Sequence, residues 1–185
     1  MADLLTPDLT ERLEHFAADA RASEVAGARA RQRWLRRAAH EEANVRGLLL
    51  DLAEGGTPVV LHTVTGRRLR ATVRTVGADF VTLWADSGTE TLVAIWAVTS
   101  IRSERTAAPT GDRHVEIMLT LAETVAALAG DQPRVLVVTG PGPGGHIAGQ
   151  LSSVGRDVLV LRPDGEARAR TFVPIGAVAE LVVVQ

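Results

Sequence analysis

The run RVLVVTGPGPGGHIAG, Arg134 to Gly149, holds Gly140, Gly142 and Gly145 in the spacing G-x-G-x-x-G, directly behind an apolar, strand-like segment. In a dinucleotide site such glycines let the backbone approach a pyrophosphate. The third then opens a helix whose free amides bind it, and an acidic residue about 20 positions on takes the ribose. Here the next residues, GHIAGQLSSVGRDVLVLR, alternate as strands do, and Pro141 and Pro143 remove two amides that a phosphate would need. The run therefore reads as an enlarged hairpin turn whose glycines supply positive φ.

The other residue types that do chemistry are scattered. His15, His40, His62, His114 and His146 show no H-x-x-x-H or H-E-x-x-H spacing, there is no cysteine, and no G-x-S-x-G occurs. Asp79 and Asp157 recur at equivalent places, but each follows a turn glycine and reads as a turn-capper. The sequence thus predicts no catalytic residues, no metal ligands and no cofactor: the protein reads as a non-enzyme.

What remains is charge. Arg67, Arg68, Arg70 and Arg74 read as one basic group on the outward face of an alternating strand, where they could contact phosphates in a sequence-tolerant way. A plain solvated strand face is the simpler alternative. In ARARQRWLRRAAHEE, residues 28–42, five Arg including Arg33, Arg36 and Arg37 surround Trp34. Such a helix can bind nucleic acid or an acidic protein partner, and it can equally be a solvated helix with Trp34 and Leu35 docked. Glu41 and Glu42 lie close enough to Arg37 to pair along the helix.

Composition limits the class. The chain has 185 residues, 46% hydrophobic and 23% charged, which suits one ordinary domain or two small ones. Its N-terminus is acidic and its apolar runs are short, so a cytoplasmic location is expected. The net charge of −2 hides a division: residues 55–105 carry six Arg against four acidic residues, while both flanking parts carry more acid than base. Every basic residue is Arg, and the aromatic share of 3% argues against a stacking-rich nucleic-acid surface.

The chain repeats itself. TVGADFVTLW at 75–84 matches SVGRDVLVLR at 153–162, and Gly66 and Gly77 are spaced like Gly144 and Gly155. IWAVTSI from Ile95 matches IGAVAEL from Ile175, and each copy is preceded by an apolar helical stretch. Repeats are read before motifs, and this one places five strands in each copy. The first set is predicted near 59–65, 68–76, 79–86, 90–95 and 98–102. The second is predicted near 134–139, 146–154, 157–162, 168–174 and 177–184. Leu69, Ala71 and Val73 alternate with Arg68, Arg70, Thr72 and Arg74, as in a half-buried strand. Five such strands in about 50 residues are expected to bury one side by curling into a small barrel.

The segments VVLHTVTGRRLRATVRTVGADFVTLW and LVAIWAVTSIR, with VLVVTGPGPGGHIAGQLSSVGRDVLVLR and RTFVPIGAVAELVV, resemble the two motifs of the Sm-like family of Sm, LSm and Hfq proteins. PRC-type and SH3-like barrels share the outline. The order of a charged helical N-terminus before such barrels is also similar to actinobacterial proteins of unassigned role. The Sm-like resemblance implies assembly through edge strands and binding of single-stranded RNA. It covers residues 47–102 and 119–184. Where RNA-binding members carry an Asn in the third-strand loop, this chain has Phe80-Val81-Thr82 and Val158-Leu159-Val160. Where they carry an Arg-Gly or Lys-His pair, it has Ala94-Ile95-Trp96 and Pro174-Ile175-Gly176.

The resulting expectation is an α+β chain: an N-terminal helical region followed by two tandem, five-stranded, strongly bent Sm-like small β-barrels, each with a preceding helix. Its divisions are a charged helical region at 1–46, a first barrel at 47–104, a linker at 105–114 and a second barrel at 115–185. Thr6-Pro7 reads as the first helix start. Leu9, Leu13, Phe16 and Ala20 then form a short seam suited to packing within the molecule or to dimerisation. Trp84 is expected in the core. Trp96, Trp34, Val182 and Val184 are the interface candidates, the last two because the apolar strand AVAELVVV needs a neighbour, inside the chain or in a homo-oligomer. The candidate nucleic-acid contacts are Arg67, Arg68, Arg70, Arg74, Arg33, Arg36 and Arg37. The functional expectation is a binding protein, either an RNA-binding regulator or an assembly module whose Arg-rich helix recruits a protein.

Overall fold

Among the residues that the computed structural model describes, 9–104, 119–165 and 168–184, the chain forms three helices and ten strands; for the first helix only part of the side chains are described. The expected helix start at Thr6-Pro7, the linker at 105–114 and residues 115–118 lie outside them. Helix α1, Leu9–Glu42, runs 34 residues and passes through Ser23–Gly27 without a break. The chain divides after Glu42 into two compact units, and α1 belongs to the first. Asn44 starts α2, Val45–Gly55, by accepting a hydrogen bond from the Gly47 amide at 2.8 Å, and Gly56 at φ +56° ends it.

The second unit, from Ala43 on, is built on one antiparallel sheet. Its strands are β1 (Pro58–Thr63), β2 (Arg68–Val76), β3 (Phe80–Trp84), β4 (Glu90–Ala94), β5 (Val98–Ser103), β6 (Arg134–Val138), β7 (His146–Val154), β8 (Val158–Pro163), β9 (Thr171–Pro174) and β10 (Glu180–Val184). They lie in the order β5-β1-β2-β3-β4-β10-β6-β7-β8-β9. The duplication is carried to fine detail. In each half a register shift falls at the matched residue of the long strand, Arg74 in β2 and Ser152 in β7. The amides of Ile95 and Ile175 donate to the carbonyls of Asp79 and Asp157, each at 2.8 Å.

The expectation of two small β-barrels is overturned. The ten strands form a single open sheet with β5 and β9 at its edges, so neither half closes on itself. The physical reason lies at β4. Closing the first half would need β4 to pair with β5. A 3-10 turn at Ile95–Ala97 instead carries the chain across, so that β5 pairs with β1, and the vacated edge of β4 is taken by β10. Curling is not needed to bury the sheet. Leu49 and Leu52 of α2 cover Val59, Leu61, Ala71, Val73, Val81, Leu83 and Val93. On the alternate side of β3 and β4, Phe80, Leu92 and Ala94 join the second half's core with Leu151, Leu159 and Leu181. Thus β3 and β4 are buried on both faces.

Helix α3, Leu121–Leu128, belongs to that second core through Leu121 and Val125. Thr120 caps it, accepting from the Glu123 amide, while the Thr120 amide and hydroxyl both donate to the Glu123 carboxylate at 2.8 Å. The amide bond first, and the hydroxyl second, hold the Glu123 carboxyl below its ordinary range. Gly140 to Gly145 form the β6–β7 hairpin connection. Gly142 sits at φ +77°, and a Cβ at Gly145 would lie 2.5 Å from the Gly140 carbonyl oxygen. These two glycines serve a turn, and the chain goes on from them into strand β7 rather than a helix.

Candidate functional site

On β2, Arg68, Arg70 and Arg74 are exposed and alternate with inward Ala71 and Val73, as the spacing requires. The structure gives most of the group specific neighbours. Arg67 Nη1 donates to Glu180 Oε2 at 2.6 Å. Arg70 Nη2 donates to Glu104 at 3.2 Å across an exposed pair. The Arg74 guanidinium stands 5.9 Å from the centroid of the Trp84 ring, which is half-buried at the end of β3. Arg68 and Arg70, with Leu69, Ala71, Leu83, Ala85 and Thr91, line a groove of about 220 Å³. So Arg68 and Arg74 project from this face, while Arg67 turns back into the molecule.

Glu180 is where it goes. This carboxylate is fully buried within β10, and its Oε1 accepts from the hydroxyls of Thr63 and Thr65 at 2.7 Å each. The β1–β2 turn of one half therefore clasps a strand of the other, beside the β4–β10 pairing that runs from Val93↔Glu180 to Glu90↔Val183. A second clasp forms at the far side of β3. Asp79 Oδ1 accepts from the Leu121 amide at 2.7 Å, and the Ala78 amide donates to the Leu119 carbonyl. A buried carboxylate is costly unless paired and hydrogen-bonded, and Glu180 has three donors. Sequence reasoning missed it. The available signal was a single acidic residue inside the apolar strand AVAELVVV, opposite a turn that offers two threonines and an arginine.

The two halves can be matched through their registers. Phe80 pairs with Ala94 and Thr82 with Leu92; at the same places Val158 pairs with Pro174 and Val160 with Phe172. Phe80, Leu92 and Ala94 are at most 2% exposed, because the second half covers them. Their counterparts lie uncovered at the β9 edge: Phe172 is 64% exposed, Pro174 is exposed and Val158 is half-buried. At the opposite edge, Ser100 and Ile101 of β5 stand where Glu180 and Leu181 stand in β10.

The remaining interface candidates separate. Trp96 is 53% exposed in the turn between β4 and β5. Val182, 8% exposed, lies between β4 and β6, so β10 is an interior strand that finds both neighbours inside the chain. Val182 and Val184 line a cavity of about 410 Å³ with Ser87, Gly88 and Thr89. On α1, Arg33, Arg37, Leu35 and Trp34 are exposed, the last at 68%, and the Arg36 side chain lies outside those described. Among the described residues no three His, Asp or Glu converge as metal ligands, and no helix is long and apolar enough to cross a membrane. No protein-family model and no curated protein matches the chain.

Proposed function

We propose that residues 43–185 are a non-catalytic assembly module that joins further copies of the chain head to tail, edge β9 of one copy against edge β5 of the next. The observation that carries this reading is the bare face of Phe172, Pro174 and Val158, which repeats the face that Leu92, Ala94 and Phe80 bury against the second half. The chain already holds one working copy of the joint, β4 against β10. A duplicated unit carries the same two surfaces twice, so one of each is left over. Such a contact is heterologous, and it closes to a ring or continues as a filament according to the rotation per step. An unpaired strand edge is also a template for another strand.

The test is sedimentation equilibrium of the full chain beside Phe172→Arg. The wild type should run as a multiple of the chain mass, and the variant should fall to half that mass or less while keeping its circular dichroism. A wild type whose mass Phe172→Arg leaves unchanged would refute the joint.

A second reading, single-stranded RNA held through its phosphates, is supported by the exposed Arg68 and by Arg74, which stands over Trp84. Anisotropy titration of labelled RNA at two salt concentrations, with Arg68/Arg74→Ala, tests it; no binding at low salt removes it. The cysteine-free composition supports a cytoplasmic setting for either role.

A further inference from the structure

On helix α1 two large aromatic side chains are exposed, Phe16 at 75% and Trp34 at 68%. These two residues are 18 positions apart, which is five whole turns, so they project from one face about 27 Å from each other. Between them the same face passes through positions 20, 23, 27 and 30, which are Ala, Ser, Gly and Ala. The sequence is symmetric about position 25 in this respect: large at 16 and 34, Ala at 20 and 30, and the small residues Ser and Gly at 23 and 27. Two such helices laid antiparallel would cross closely at the centre and set Phe16 of each against Trp34 of the other.

Charge selects the orientation. Residues 9–24 hold Glu11, Glu14, Asp19 and Glu24 against Arg12 and Arg21, while residues 25–40 hold five Arg and no acidic residue. Parallel packing would lay five Arg beside five Arg. Antiparallel packing lays each Arg-rich half beside the acidic half of its neighbour, the arrangement electrostatics favours.

We infer that α1 is a self-association helix whose partner is α1 of a second copy, antiparallel and centred near Val25. This contact is separate from the strand-edge joint and stands or falls independently of it. It uses Trp34 as an anchor and spends the Arg-rich half on the neighbouring copy's carboxylates.

The protein has no cysteine, so disulfide trapping is clean. Ala20→Cys and Ala30→Cys are each introduced into the full-length Phe172→Arg chain, which removes the β9 edge as a route to proximity. Oxidised after mixing, the two variants should form a 20–30 cross-linked dimer, well above the yield of either alone, and the yield should fall several-fold between low and high salt. Efficient cross-linking of each variant with itself would mean parallel pairing and overturn the proposal. No cross-link in any sample would overturn it too, leaving the Arg-rich half for an acidic protein or a nucleic acid. Charge reversal gives a second measure: Arg31/Arg33→Glu should abolish the dimer, and mixing it with a chain carrying Glu14/Asp19→Arg should restore it.

Discussion

Leu92 and Phe172 hold the same place in the two halves of the sheet, yet Leu92 is 2% exposed and Phe172 64%. The difference lies in the surroundings. Strand β4 has β10 beside it and the second half's core over its outer face, whereas β9 has nothing on that side among the described residues. At the paired edge the contrast is reversed. Glu180 of β10 is buried and held by Thr63, Thr65 and Arg67, while Ser100, at the same place in β5, is exposed. Each copy of the repeat thus shows one surface of the joint made and the other unmade.

Substitutions at matched positions break this comparison in order of size. Leu92→Ala should cost about 2–5 kcal/mol in urea denaturation, as a core truncation does, whereas Phe172→Ala should stay within about 0.5 kcal/mol for the dissociated chain. Arg67→Ala removes the cationic partner of buried Glu180. It should cost about 2–3 kcal/mol, below the usual range for a broken buried pair because Arg67 is partly exposed; Ser100→Ala should cost almost nothing. Gly149 stands where the first half has Ala71, and a Cβ there would lie 2.2 Å from the Arg162 carbonyl oxygen. Gly149→Ala should therefore destabilise by about 1–3 kcal/mol, and Ala71→Gly by about 1 kcal/mol.

The smallest effect concerns pH. The folded-state pKa of Glu123 is lowered by its bonds from Thr120, so its contribution is present above the unfolded value, near 4.3, and is lost as pH falls through the folded value. The stability gap between wild type and Glu123→Gln should be full at neutral pH and close on acidification below about pH 4.

Strand content and duplication were legible in the sequence because they are local. Alternation in RLRATV, the turn glycines Gly66, Gly88 and Gly165, and the apolar run at Phe80–Trp84 each fix a strand or turn within a few residues. The barrel expectation failed because closure depends on which strand meets the β4 edge. Periodicity says that a strand has an apolar face but not what covers it. The same limit hid the buried site: the outward Arg run reads as one basic patch, yet Arg67 lies at the end of the turn that faces Glu180, 113 residues away in sequence. Only the pairing of β10 with β4 brings them together.

The central claim is that the internal joint is repeated between chains, and its register makes it testable. In the joint, Thr91 lies opposite Val182. By the matched registers, Thr171 of one chain should lie opposite Arg102 of the next. The most direct measurement is oxidation of the Thr171→Cys/Arg102→Cys chain, read by mass on a denaturing, non-reducing gel. A ladder of covalent dimers and higher multiples is expected, absent from each single variant. Chains that stay monomeric under oxidation would contradict the head-to-tail joint.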